Sequence, residues 1–461
     1  MTIQDLLALI NTPADLIKQI EATKPKPEED KYYEPAKHKV NERKDKQIVK
    51  PDPLVEGGTI TTYEPVAKIT TSLQKLIIDR AVAFLVGVPI EIDSKPLNSQ
   101  EKIMDAMVRK TLRDNKSNYR DSEIAELFKK DTECAEVWYS EEAIPEYWQS
   151  IKAKGAFKMR LKVMAPSKGD TLYPLFDAAG DLIAFGRGYT TKNGDKDVLN
   201  LDLYTDTNIY KFQKAEGDWA QTEAKQHSYG KIPVIYHTQP QTETADVNGK
   251  IDRLETLLSN HADTNDYNGS PILAASGAIL GFSAKGESGK VVELEAGADL
   301  KYVTWNNAPE SIKMEIENLL YFTFSETRTP DFSSKDFITG NTTVIGIEMR
   351  FLDAHLKAKK SQNGTFGEAI QRRFNLLKSC MAAINVGVKA AIGMDITPVF
   401  DVYMPSNRTE TIENFTTLVG AGIISKQTAL KKMAKMLSME PEDIEAEMLL
   451  LEGEADSISA L

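Results

Sequence analysis

The strongest constraint in this sequence is a helical hydrophobic pattern that extends from about Val344 to Val388. In its second half Phe366, Ile370, Phe374, Leu377, Met381 and Ile384 step by four, four, three, four and three, the seam of a helix that buries one face. Gly364 and Gly367 stand in its middle. Each costs about 1 kcal/mol against alanine inside a helix, so the pattern predicts a kink or a close backbone approach there. The run Lys357, Lys359, Lys360 reads as a solvated helical face, since runs of like charge usually only solvate.

A second constraint lies just upstream. Residues 250 to 268 predict an unusually polar helix, with Leu254, Leu257 and Leu258 set against Asp252, Asp263 and Asp266, stopped by Gly269, Ser270 and Pro271. Pro309 opens another helix, with Ile312, Ile316, Leu319, Leu320 and Phe324 at helical spacing and Pro330 closing it. Each is about 28 Å long at 1.5 Å per residue. They bracket an insert, residues 271 to 305, of β-like pieces and glycines. The pair therefore reads as a hairpin with a knob at its tip. Tyr321 and Phe322 lie off the main stripe of the second helix, and His261 on the polar one reads as a solvated or intersubunit residue.

Elsewhere the chain alternates in character. Residues 2 to 22 read as two short helices parted at Thr12-Pro13. Residues 24 to 53 carry five prolines among dense mixed charge, too little apolar surface to fold alone, and read as an extended arm ordered by a neighbour. A helix is expected over about 65 to 86, mainly helical structure over 99 to 150, and short strands with turns at Gly180-Asp181 and Asn193-Gly194 from Phe157 to Tyr236. A strand is expected at Pro398 to Met404, then helices at Thr409 to Val419, at Lys426 to Leu437 capped by Ser425, and from Pro441. From Glu440 onward there are eight acids and no base.

Composition narrows the function classes. With 56 Lys and Arg against 68 Asp and Glu the net charge is −12, the wrong sign for a protein that grips DNA through its phosphates. Cys134 and Cys380 are too few for a disulfide framework or zinc cluster, and a reducing compartment follows. The first 20 residues lack a signal-peptide pattern, and the longest apolar run, Ala81 to Ile90, is about half of what spans a bilayer; a soluble protein kept in the cell that makes it is expected. Five scattered histidines offer no metal pair. The stretch Gly281 to Ser288 has the glycines of a phosphate loop but Glu287 where the lysine belongs, so a β-turn is the better reading. Trp138, Tyr139, Tyr147 and Trp148 read as domain core rather than a stacking platform for bases. No cofactor or metal is implied.

The order of these segments resembles the portal proteins of tailed bacteriophages, of the siphophage type. The resemblance runs through Ile77 to Ile90, where a helix ends in Phe84-Leu85-Val86-Gly87-Val88-Pro89, and through Ile232-Pro233-Val234-Ile235-Tyr236 before the helix carrying Leu254 to Asn260. It continues in Pro330-Asp331-Phe332, in Gly340-Asn341-Thr342-Thr343-Val344-Ile345-Gly346-Ile347 and in Leu418 to Ala429, covering about residues 65 to 437. Where relatives often read Ser-Gly before the long helix, this chain has Thr342-Thr343-Val344-Ile345-Gly346.

The resemblance implies an α+β portal fold and a ring of about twelve identical subunits at one capsid vertex, with DNA passing through its axis and no catalysis. Beside the short helices of 1–23 and the charged arm of 24–53, the same analogy makes 54–250 the wing, 251–270 and 309–330 the stem helices, and 271–308 a small α/β clip. Residues 331–343 are then the tunnel loop, 344–406 the long kinked helix with a wing strand, and 407–461 the helical crown and acidic tail. Ser333, Ser334, Lys335, Asn341 and Thr342 of the loop would touch DNA without base readout. Phe282, Lys285, Glu287 and Lys290 of the clip would meet partners: the terminase large subunit and head-completion or adaptor proteins. Major capsid and scaffold proteins complete the partners, with no membrane; assembly would occur in the host bacterial cytoplasm, and the product would reside in the virion. Two rival readings are another DNA- or scaffold-associated phage head protein and, from a different class, a hydrolase using carboxylates of the β domain. The rival enzyme would need a buried acid pair facing a pocket.

Overall fold

The computed structural model describes residues 14–15, 17–18, 32–51, 58–194, 196–215, 218–268, 272–276, 279–282, 292–294, 297, 299–303, 309–332, 344–401, 408–437, 444 and 446–451. They fall into two compact units, Met1–Pro330 with Asp353–Val402, and Asp331–Leu352 with Tyr403–Leu461. The mixed helix and sheet architecture expected from the sequence is present.

The larger unit is layered. Helices α1 (Leu73–Val86), α2 (Ser99–Asp114) and α3 (Ser117–Asp131) share a core with a three-stranded antiparallel sheet of β4 (Glu133–Glu142), β5 (Phe157–Met164) and β11 (Val234–Thr238), ordered β11-β4-β5. Behind it stands a five-stranded antiparallel meander, β6 (Thr171–Phe176), β7 (Leu182–Asn193), β8 (Lys196–Tyr204), β9 (Asn208–Ala215) and β10 (Asp218–Gln226). The β6–β7 and β7–β8 turns place Gly180 and Gly194 at φ +89° and +62°, values that glycine adopts without a Cβ clash. Two short antiparallel pairs complete the unit's larger sheets: β1 (Lys46–Pro51) with β2 (Thr59–Glu64), and β3 (Glu91–Ser94) with β16 (Ile396–Val399). The strand expected at 398–404 thus sits upstream, and residues 402–404 lie outside the described set.

Strand β4 overturns part of the helical expectation for 99–150. Alternate side chains point to opposite faces of a strand, and here both faces are buried: Cys134 and Trp138 join the helical core, while Ala135 and Val137 pack against the meander. Burial on both sides removes the polar alternation that would have marked the strand. Trp138 and Trp148 are core residues, as expected, whereas Tyr139 is exposed.

The polar helix is α4 (Asn248–Asn268), and its polar face is occupied by its own chain. Three backbone N–H groups, of Ala67, Ile69 and Thr71, donate to Asp263 Oδ1 (2.6 Å), Ser259 Oγ (2.9 Å) and Glu255 Oε1 (2.7 Å). Two residues of extended chain advance about 6.6 Å and four helical residues about 6 Å, so every second amide meets the next helical turn. Hence the helix expected from residue 65 begins only at Leu73. Residues 32–45 also line this face: His38 Nδ1 lies 2.8 Å from Glu255 Oε1, Lys39 pairs with Asp252 at 2.8 Å, and Arg43 reaches Asn260 at 2.7 Å and Asp263 at 3.0 Å. Residues 38–43 of the arm, expected to be ordered by a neighbour, are therefore seated on their own subunit, because their charges meet opposite charges at helical spacing.

The long pattern divides into α6 (Val344–Gln362) and α7 (Thr365–Ile384). A Cβ on Gly367 would lie 1.7 Å from the Gln362 carbonyl oxygen and one on Gly364 2.9 Å from that of Lys360. The expected close approach at the glycines is present, and it allows the helix to break and restart. Below the break the seam Phe366, Ile370, Phe374, Leu377 and Met381 is buried. In the smaller unit α8 (Arg408–Gly420) and α9 (Lys426–Leu437) form a helical pair, with Ser425 Oγ accepting from Thr428 N at 3.1 Å as the expected cap.

Candidate functional site

The resemblance leads to the two ends of the helix hairpin as the expected sites. Its second helix is α5 (Pro309–Glu326), and Lys250–Glu326 (2.6 Å) and Arg253–Glu315 (2.8 Å) link it to α4. The start of α4 and the end of α5 are embedded in the larger unit, with Ile251, Leu254, Thr323 and Phe324 buried and Ile251 packed on Ile77 of α1. Away from that base the helices emerge: Tyr267 is 70 % exposed and Met314 59 %. At the far end the insert comprises two antiparallel strand pairs, β12 (Ile272–Ser276) with β15 (Asp299–Val303) and β13 (Ile279–Phe282) with β14 (Val292–Leu294). Apart from Gly297 in a turn, its described residues are strands, and the rest of the expected α/β insert lies outside the described residues. Phe282 pairs with Val292 at the end of β13; Lys285, Glu287 and Lys290 lie outside the described residues. The same holds for Ser333, Ser334, Lys335, Asn341 and Thr342 of the segment that follows α5.

The point from which that segment departs is defined atom by atom. After Glu326 the chain closes α5 with Arg328 N donating to Ser325 O (3.1 Å) and Thr329 N to Phe324 O (2.9 Å), the paired bonds of a Schellman end. Arg328 takes the left-handed position at φ +52°, where glycine is usual and an L side chain costs about 1–2 kcal/mol. Two cations hold the turn from outside. Lys357 Nζ of α6 donates to Thr327 O at 2.5 Å, and Arg80 of α1 donates to Pro330 O while its guanidinium sits 5.8 Å from the Phe324 ring centre. Thr327 and Thr329 are buried and their hydroxyls bond each other at 2.9 Å.

Lys357 is fixed in turn by Glu243, which also takes Lys129 Nζ at 2.8 Å. Burial works to raise the Glu243 carboxyl, but Lys129 and Lys357 outweigh it and hold the group below the usual carboxylate range. The sequence reading of Lys357 as solvated is corrected here, whereas Lys359 and Lys360 are exposed as expected. Lys357 falls on the inward side of α6 next to buried Ala354 and Ala358. Those two small apolar neighbours were the available signal; nothing local marked Arg80, Lys129 or Glu243.

One further charged cluster lies deep in the larger unit. Arg373 of α7, 1 % exposed, forks onto Glu136 of β4 with both distances 2.7 Å and approaches Asp121 of α3 at 2.7 Å, while His237 Nε2 meets Glu136 Oε1 at 2.7 Å. Burial opposes ionisation of Glu136, but the guanidinium and the histidine prevail and draw its carboxyl down to about 2. Arg373 thus engages both buried acids, Glu136 and Asp121.

The model of a family described as phage portal protein, SPP1 Gp6-like, matches residues 14–456. No curated protein matches the sequence significantly. Among solved structures, a chain from the neck of an empty GTA particle computed with C6 symmetry is 12% identical with a TM-score of 0.41, covering 80% of this chain and 89% of that one. A chain from the virion of a native gene transfer agent particle has 12% identity and TM-score 0.38, and one from the neck of the native GTA particle computed with C12 symmetry 13% and 0.38; both cover 80% of this chain and 89% of theirs.

Proposed function

The chain belongs to the phage portal protein family, and from that membership we propose that about twelve copies close into a ring around an axial channel at one capsid vertex. Double-stranded DNA is packed and later released through the channel, without sequence readout and without chemistry by this chain. The helices over 251–270 and 309–330 form the stem, 271–308 the clip, 331–343 the tunnel loop, 407–461 the crown and acidic tail, and 54–250 with the strand after the long helix the wing.

The observation that supports this reading best is the helix hairpin. A ring subunit must offer two different surfaces to two neighbours. Here Tyr321 and Phe322 of α5 are 65 % and 48 % exposed with ring centres 5.5 Å apart, and Met314 lies two turns before Tyr321 on the same face. Such apolar side chains on a projecting helix are what a neighbouring copy would cover. The charge of −12 suits a conduit, because a channel that attracted phosphate strongly would hold DNA rather than pass it.

Phe282, Lys285, Glu287 and Lys290 are assigned to contacts with the terminase large subunit and head-completion proteins, and Ser333, Ser334, Lys335, Asn341 and Thr342 to weak contacts with DNA. Major capsid and scaffold proteins would surround the ring, which is assembled in the host cytoplasm and retained in the virion. Native mass spectrometry and negative-stain imaging of the purified full chain test the proposal. Closed rings of about twelve copies are expected; only monomers and dimers at every concentration would overturn it.

A further inference from the structure

The turn Thr327–Pro330 is held more firmly than the end of a helix requires. Its own Schellman bonds already close α5, yet Thr327 O receives Lys357 and Pro330 O receives Arg80, one carbonyl on each side of the left-handed Arg328. A strained residue persists where its surroundings over-determine it. The two cations come from different helices, α6 and α1, and neither belongs to the hairpin. Lys357 is itself braced by Glu243 and, through it, by Lys129 of α3. The arrangement ties the end of α5 to three helices of the larger unit at the residue before Asp331.

We infer that Arg80 and Lys357 are positioning residues for the channel: they clamp the carbonyls flanking Arg328 and so set where the segment 331–343 leaves the stem. The inference rests on the portal reading and names which side chains align that segment. Neither residue needs to touch DNA. Their effect passes through the backbone of the turn, so it is read at the turn itself as well as in DNA transfer.

The test uses assembled rings of the full chain carrying Arg80→Met or Lys357→Met, with Arg80→Lys and Lys357→Arg as conservative partners. Amide hydrogen exchange at Arg328 and Thr329 is expected to accelerate about tenfold or more in each Met variant, since a charged hydrogen bond on the turn is lost. DNA packaging by particles built on those rings is expected to fall in parallel, and the Lys and Arg replacements to restore most of both. Unchanged exchange in both Met variants would overturn the clamp, as would full packaging despite accelerated exchange. Failure of the Met variants to form rings would make the residues structural and also overturn it. Wild-type rings that support no packaging would instead remove the channel reading, while the exchange measurement still judges the clamp.

Discussion

The two helices of the hairpin solve the same problem in opposite ways. Helix α4 presents Asp252, Glu255, Ser259 and Asp263 along one face, and residues 38–43 and 67–71 of the same chain lie against it, so its polar groups find partners at home. Helix α5 presents Met314, Tyr321 and Phe322 on a face left exposed. Polar side chains in one helix are thus consumed by folding, while apolar ones in the other are left exposed. The difference teaches that polarity alone misjudges exposure: the polar face is covered by its own chain, while the more apolar one stays open.

The comparison can be broken most forcefully at Glu255, which is fully buried and accepts from Thr71 N (2.7 Å), Thr71 Oγ1 (3.0 Å) and His38 (2.8 Å). Glu255→Leu leaves buried donors unpaired and is expected to cost about 3 kcal/mol of stability, read as a lower denaturation midpoint together with faster proteolysis between residues 32 and 71. If the midpoint holds, the face of α4 is not consumed by folding as described. Asp263→Ala should act in the same direction but more weakly, by about 1 kcal/mol, because the carboxylate shared by Ala67 N and Arg43 is partly solvated. The double variant Tyr321→Ser with Phe322→Ser is the opposite case. Subunit stability should stay within about 0.5 kcal/mol, while sedimentation shows rings giving way to smaller species at dilution. A large loss of subunit stability with rings intact would place those aromatic residues in the fold rather than at a neighbour.

Much of the architecture could be read in advance from spacing. The seam from Phe366 to Met381 is buried as its period required, and Gly364 and Gly367 mark the break because a side chain at either would strike a carbonyl of the preceding turn. Pro309 and Pro330 bound α5 closely. Strand β4 was not legible, since burial on both faces and a central Glu136 conceal alternation, and Glu136 is tolerable there through His237 and through Arg373, the latter 237 residues away in sequence. The extended course of residues 67–71 was hidden for a related reason: its pairing is with side chains at helical period, not with another strand. Of the loop and insert residues expected to meet DNA or partners, only Phe282 falls within the described residues. On the turn before Asp331, Lys357 was marked only by its buried neighbours Ala354 and Ala358, and Arg80 carried no local signature.

By itself the sequence determined the helices and most of their limits, the β-rich stretch, the hairpin with its insert, and a net charge unsuited to gripping DNA, because those features depend on periodicity, proline, glycine and simple charge. Tertiary structure alone decided which polar groups are satisfied and by whom. It set Arg373 between Glu136 and Asp121, Lys357 on Thr327, and the extended chain along α4. A buried charge or carbonyl is costly without a partner, and these partners lie tens to hundreds of residues away, where no local pattern can announce them.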